Sequence, residues 1–294
     1  MTIVIIYNNS HSFEVVRMYS TTLKFLTAAI IASIPFVASA QSLPQPDGYD
    51  ILQQTSQVPP RPYEFAILGV KPGMPIAEAL ALIEEHLGKE LSPVGGTLQV
   101  TSPEGVAFRT ELRIGYETPG IDFFLRNQSQ QPFDSIKIDV STPTSGSVVT
   151  AIQREVRVAA SDGPDGAALL AQLEGLYGQP SDHPGGSLGQ KWQWAMDRAF
   201  EPIAMPDDYN PVVFQACSHS LPSSGRYAYR LDLSLGESRN CGVSYVAEHI
   251  PQGETITMNF RLTDYNLLVQ DHLATNAQID EKLNADTQPS DMKL

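Results

Sequence analysis

A chain of 294 residues with 42% hydrophobic and 18% charged side chains has ample apolar material for a sizeable core and too little charge to stay unfolded. Its 33 acidic and 19 basic residues give a formal net charge of −14, a field that repels phosphate backbones and acidic lipid and argues against a nucleic-acid partner.

The first element in chain order is an export signal. From Met18 the chain reads MYSTTLKFLTAAIIASIPFVASAQS, with a cation at Lys24, an apolar run from Phe25 to Val37, and the small residues Ala38, Ser39 and Ala40 before Gln41. This is the n-region, h-region and cleavage site of a secretory signal peptide, and it is too short and too interrupted by Pro35 to span a bilayer. Cleavage is expected after Ala40. Residues 1–40 then comprise an upstream extension plus the signal, with Met18 as the true start. Their removal takes away Arg17, Lys24 and Glu14 and leaves 17 basic and 32 acidic side chains, a formal charge of −15. No cysteine follows the cleavage site and no later stretch reaches 18 apolar residues, so the mature chain is expected to be soluble, periplasmic or secreted, without a transmembrane span.

Residues 41–62, rich in Pro and Gln, read as an extended arm. In GVKPGMPIAEALALIEEHLGKEL, residues 69–91, Ile76, Leu80, Ile83 and Leu87 recur at helical spacing, Pro75 sits where a helix start tolerates it, and Gly88 closes the run. Strands follow: Phe108, Leu112 and Ile114, then Ile121, Phe123 and Leu125, then Ile136, Ile138 and Val140, then a long one within 147–159. SDGPDGAALLAQLEGLYGQPSDH, residues 161–183, repeats the helical design. An offset of 90 residues places Leu80 on Leu170, Ile83 on Leu173, Leu87 on Tyr177 and Gly88 on Gly178.

After this second helix Trp192, Trp194 and Met196 alternate with Lys191, Gln193 and Asp197. Tyr227, Tyr229, Leu231, Leu233 and Leu235 make the cleanest strand pattern in the chain, and residues 242–250 and Ile256 to Leu262 complete the set. Residues 200–225 read as a long loop, and 265–285 as an amphipathic helix through Leu268, His272, Ile279 and Leu283. The strands are too hairpin-like for a parallel β-α-β fold. The expected class is α+β, two helix-then-antiparallel-sheet repeats over 63–160 and 161–263, packed as one domain or two closely associated subdomains, with a weak helix and flexible tail over 264–294.

Cys217 and Cys241 are the only cysteines, an even count in an exported chain, and read as a disulfide worth roughly 3 kcal/mol by loop closure. Two buried free thiols or a redox pair are the alternatives, without a C-x-x-C spacing to support them.

The run YEFAILGVKPGMPIAEALALI, a strand leading through Gly-x-x-x-Gly-Met-Pro into a helix, the exit LLAQLEGLYGQPSD and the later WQW together resemble the helix-then-sheet repeat of β-lactamase inhibitor proteins and of small envelope lipoproteins that attend outer-membrane β-barrel insertion. The resemblance implies a binding scaffold with a concave sheet face for another protein, and no catalytic residues. The lipoprotein attachment cysteine is absent from this sequence.

Candidate chemistry is sparse. GGSLG, residues 185–189, matches the Gly-x-Ser-x-Gly nucleophile pattern, with His219, His249, Asp207 or Asp208 as conceivable partners of Ser187, but it lacks the preceding strand and following helix that project such a serine, so a glycine-rich turn is expected. His86, His183, His219, His249 and His272 are scattered at non-ligand spacings, and Glu84, Glu85, Asp207 and Asp208 lack the alternating donors of a calcium loop. No metal and no cofactor is expected. Trp192, Trp194, Tyr227 and Tyr229 form either an aromatic binding platform or a cross-strand group packed against the helices. The leading expectation is an exported non-enzymatic binding or envelope-associated module with a protein partner. An inhibitor occluding a secreted hydrolase, and a hydrolase with a dispersed site, are the alternatives.

Overall fold

The computed structural model describes residues 52–101, 107–120, 131–183, 189–204, 217 and 241–285. The strands expected at 121–125 and 227–235 and the signal positions Ala38, Ala40 and Gln41 lie outside these residues.

The first helix, α1, spans Ile76–Leu87. The Pro75 carbonyl accepts its first helical N–H, from Ala79, and the helix buries Ala79, Leu80 and Ile83. Gly88 ends it with φ 65°, a left-handed turn in which a side chain would be strained, and its N–H donates to the Glu84 carbonyl. The second helix, α2, spans Gly166–Tyr177 and is capped by Asp165, whose Oδ1 accepts the Ala168 N–H at 2.7 Å. It buries Leu169 and Leu173, and the Gly178 N–H donates to the Glu174 carbonyl.

The described residues form seven strands: β1 Ser92–Thr101, β2 Ala107–Glu117, β3 Phe133–Val140, β4 Val149–Ala159, β5 Gln190–Asp197, β6 Cys241–Gln252 and β7 Thr255–Asp264. They form one antiparallel sheet in the order β1-β2-β3-β4-β7-β6-β5. The fold is therefore α+β, as the hairpin-like spacing implied. β1 was not foreseen, because Pro93, Gly95 and Gly96 are poor strand formers. It lies at the sheet edge, where a missing N–H costs least, and its register slips between Val94 and Gly95. β2 joins β3 through only Gly115, Tyr116 and Glu117. Gly115 is required there, since a Cβ would collide with the Ile138 carbonyl.

The two sheet faces bury different things. On one, Ile138, Ile152, Leu262, Tyr245 and Trp194 meet the buried sides of α1 and α2 in a single apolar cluster that also takes Tyr63, Phe65 and Ile67 from the preceding segment. On the other, Ala195 meets Cys217, Cys241 and Tyr265, the first residue of the third helix, α3 Tyr265–Ala285. Farther along, Ile279 and Leu283 of α3 pack with Leu98, Val100, Leu112 and Leu52.

On α3 one residue, Leu268, departs from the expected burial. Of the residues expected to face inward from α3, His272, Ile279 and Leu283 are buried and Leu268 is only half-buried, while Leu267, Asp271 and Thr275 complete the inward stripe. The apolar positions alone pointed to Leu268, because a carboxylate at 271 reads as solvent-facing. Asp271 instead bonds the Thr142 N–H at 3.0 Å and hydroxyl at 2.7 Å, an internal set of partners that makes its burial tolerable. On β5 Gln193 points away from Trp192 and Trp194, as the alternation implied, and is itself buried, donating to the Ser244 hydroxyl at 2.7 Å. The second half of the expected arm is also fastened down: Leu52 is buried, the N–H groups of Thr55 and Ser56 donate to the Thr144 carbonyl, and Gln278 bonds Gln53.

The Cys217–Cys241 disulfide is formed, with Cα atoms 5.5 Å apart, a spacing that suits a bridge, and it anchors the start of β6. No described helix is long and apolar enough to cross a membrane.

Candidate binding face

The aromatic residues decide which face is open. Trp192 and Trp194 are 5% and 2% exposed. The Trp194 Nε1–H donates to the Gly178 carbonyl at 2.8 Å, and its ring lies edge-on to Tyr245 and Tyr177, with centroids 5.9 and 6.2 Å away. Tyr177 in turn stands edge-on to Phe65 at 5.1 Å and donates to the Ala66 carbonyl. The Leu-Tyr-Gly exit of α2 thus supplies both a ring and a carbonyl to the strand tryptophans, and the surface platform is corrected for these two residues. The reason is parity: both indoles point to the helix-covered side of β5. Tyr227 and Tyr229 lie outside the described residues. Since the chain has only these two tryptophans, the native protein is expected to emit at short wavelength and resist acrylamide quenching. Emission and quenching constants equal to those in denaturant would refute this packing.

The opposite side chains of the same strands make polar rows, fixed by the strand register. One row runs Lys191, Glu248, Asn259, Glu155, Ser135 across β5, β6, β7, β4 and β3, and the next runs Gln193, Val246, Arg261, Gln153, Lys137. In the first, Glu248 accepts from Lys191 at 3.3 Å through one oxygen and from Asn259 at 3.2 Å through the other. A third row places Thr257, Arg157 and Phe133 side by side; Arg157 bonds the Thr257 hydroxyl at 3.0 Å and lies 4.8 Å above the Phe133 ring. Arg261 and Gln153, in the middle of the second row, are exposed. Lys137 is also partly exposed and lies 3.6 Å from Asp139. Among the described residues Arg261 has no carboxylate partner.

No family model, curated protein or solved structure matches this chain. The polar clusters must therefore be read from their own chemistry.

Three further clusters compete with the open face. At the end of α1, His86 Nε2 lies 3.0 Å from Asp134 Oδ2, and Arg154 grips both oxygens of Asp134, at 2.6 and 3.1 Å. Burial pushes the Asp134 carboxyl up, but the hydrogen bonds and charges of Arg154 and His86 outweigh it and hold the group below its ordinary value. A lowered carboxylate contributes stability that is fully present above the ordinary carboxylate range and is lost as pH falls through the lowered value. Asp134→Asn should accordingly be less stable than the parent at neutral pH and approach it in acid. A constant difference across a pH series of urea melts would contradict this assignment.

The second cluster is Asp264, whose side chain is fully buried. Its Oδ2 accepts the Tyr63 hydroxyl at 2.7 Å and lies 3.2 Å from Arg61 Nε, and its Oδ1 accepts the Leu267 N–H at 2.8 Å, capping α3. Burial pushes its carboxyl up, opposed by Arg61, the Leu267 N–H and Tyr63. The third is Asp271, raised by burial and opposed by the Thr142 N–H and hydroxyl. Both acids were missed in the sequence, and both are consumed by internal partners.

The other residues singled out in the sequence do not converge. His249 is buried with Nε2 3.1 Å from the Pro164 carbonyl, His272 Nδ1 lies 2.8 Å from the Leu268 carbonyl, and Glu84 Oε1 accepts the Leu91 N–H. Ser187, His219, Asp207 and Asp208 lie outside the described residues. Among those described, no group of three His, Cys, Asp or Glu side chains is placed to hold a metal ion.

Proposed function

We propose that this protein is an exported, non-enzymatic binding module that docks another protein of the envelope or extracellular space on the polar side of its sheet. The observation that carries the reading is the open row around Arg261 and Gln153, set on strands whose other side is locked to a helix-backed aromatic core. A rigid pleated face presenting pre-positioned donors and acceptors loses little conformational entropy on binding. The raised carboxyls of Asp264 and Asp271 serve α3 and the 142–145 turn, which favours docking over catalysis.

The apolar segment before Gln41 and the Cys217–Cys241 bridge support an oxidising compartment, periplasmic or secreted. A tandem helix-plus-sheet build, of the kind seen in β-lactamase inhibitor proteins, is part of the same proposal. It is supported by the common offset of 90 that pairs buried Ala79 with Leu169, buried Ile83 with Leu173, and Gly88 with Gly178, each glycine donating to the carbonyl of a glutamate four residues earlier. The last strand of each half, β4 and β7, meet antiparallel in mid-sheet.

Affinity retention from the native extracellular fraction tests the reading. Immobilised mature chain should retain a partner that a Gln153→Trp variant, bulky at the centre of the face, does not. Equal retention by both would overturn docking on this face.

A further inference from the structure

We infer that the open face takes an acidic segment of its protein partner, with an Asp or Glu side chain seated on Arg261. This deepens the docking proposal and rests on it. The chain carries a net charge of −14, yet the row Gln193, Val246, Arg261, Gln153, Lys137 holds two cations and no acid. The row beside it holds two acids: Glu248 is already engaged on both oxygens, by Lys191 and Asn259, and Glu155 has an interaction of its own. On the other side Asp139 pairs with Lys137 at 3.6 Å, which leaves Arg261 without a carboxylate partner among the described residues. Arg261 is the exposed central cation of the face, and its guanidinium offers a planar fork of donors that fits a carboxylate through two parallel hydrogen bonds.

Geometry adds a second contact. Arg261, Gln153 and Lys137 stand on the neighbouring strands β7, β4 and β3, so two strand spacings, about 10 Å, separate the outer pair. One acidic side chain can seat on Arg261 while a second, a few residues away on the same extended segment, competes with Asp139 for Lys137, with the Gln153 amide between them. The overall negative charge repels a polyanion at long range while leaving this short-range match intact, which favours a protein carboxylate over nucleic acid. The same background sets specificity, because a partner acidic everywhere is repelled and one with a single acidic loop is not.

The test uses the mature chain, residues 41–294, and fluorescein-labelled twelve-residue peptides, one bearing alternating Glu and Ser and one with every Glu replaced by Gln. Anisotropy should report saturable binding of the Glu peptide and roughly tenfold weaker binding of the Gln peptide. Arg261→Glu should weaken the Glu peptide by at least a similar factor without changing the melting curve, because the side chain is exposed and unpaired among the described residues. Lys89→Glu, the same charge change at an exposed position after α1, should leave binding unchanged. No binding, equal binding of both peptides, equal loss in Lys89→Glu, or displacement by inorganic phosphate as readily as by the Glu peptide would overturn the inference. Self-association of the chain through Arg261 in sedimentation would also overturn it, by making a second copy the occupant. If the peptides fail while Gln153→Trp still abolishes retention of a partner, only the acidic specificity falls and docking stands.

Discussion

Asp264→Ala should destabilise the protein by about 4 kcal/mol, a large share of the 5–15 kcal/mol typical of a folded domain. The substitution strips three buried groups of one acceptor. Arg61, 5% exposed at its side chain, is left as an uncompensated interior cation; the Tyr63 hydroxyl loses its 2.7 Å partner; and the first turn of α3 loses the cap on Leu267. Burial also raises the Asp264 carboxyl, so the ionised pair is held at some cost, and deleting both charges should hurt less than deleting one. The double variant Arg61→Met with Asp264→Leu is therefore expected to be more stable than Asp264→Ala. Urea melts of the three proteins check both statements. A loss below about 1 kcal/mol for Asp264→Ala would mean that the arm and α3 do not depend on this joint.

Replacing Cys217 and Cys241 together by Ala should cost roughly 3 kcal/mol, the loop-closure value for the segment they enclose. Both sulfurs are buried beside Val243, and with Ala195 they form the small apolar cluster at the start of α3. The bridge restrains the unfolded chain, so its loss should also steepen the urea dependence as more surface becomes exposed on unfolding. Thiol labelling of the unreduced, denatured parent should modify no cysteine. A double variant as stable as the parent would show that the enclosed segment is held by packing alone.

Much of the architecture was legible because periodicity is a direct consequence of one-sided burial. Ile76, Leu80, Ile83 and Leu87 gave α1, and the alternation at 136–140, 192–196 and 256–262 gave β3, β5 and β7, since each contacts an apolar layer on one side. β1 escaped notice because an edge strand tolerates the Pro93 and Gly95 that a central strand would reject. The α3 stripe was read in part, at His272, Ile279 and Leu283, but Asp271 and Thr275 escaped because they are buried against Thr142, 129 positions away from Asp271 in the chain. No local pattern announces such a partner.

The candidate face was less legible still. The tryptophans attracted attention as large aromatics, yet parity alone could not say which side of β5 the helices cover. Arg261 and Gln153 carry no motif. They acquire meaning only from the β4–β7 register, which makes them neighbours at the centre of the sheet. A sequence signal existed in retrospect: polar residues at 257, 259 and 261 and at 153, 155 and 157 mark one consistent side of two strands.

Photo-crosslinking from single positions tests docking on the polar face most directly. With benzoylphenylalanine at Gln153 or at Leu176, both exposed but on the polar face and on α2 respectively, the protein is irradiated in an extract of the cells that make it combined with their medium. A discrete, saturable adduct from position 153 and none from 176 is the predicted result. Adducts from 176 alone, or equal and unsaturable labelling from both positions, would contradict docking on this side of the sheet.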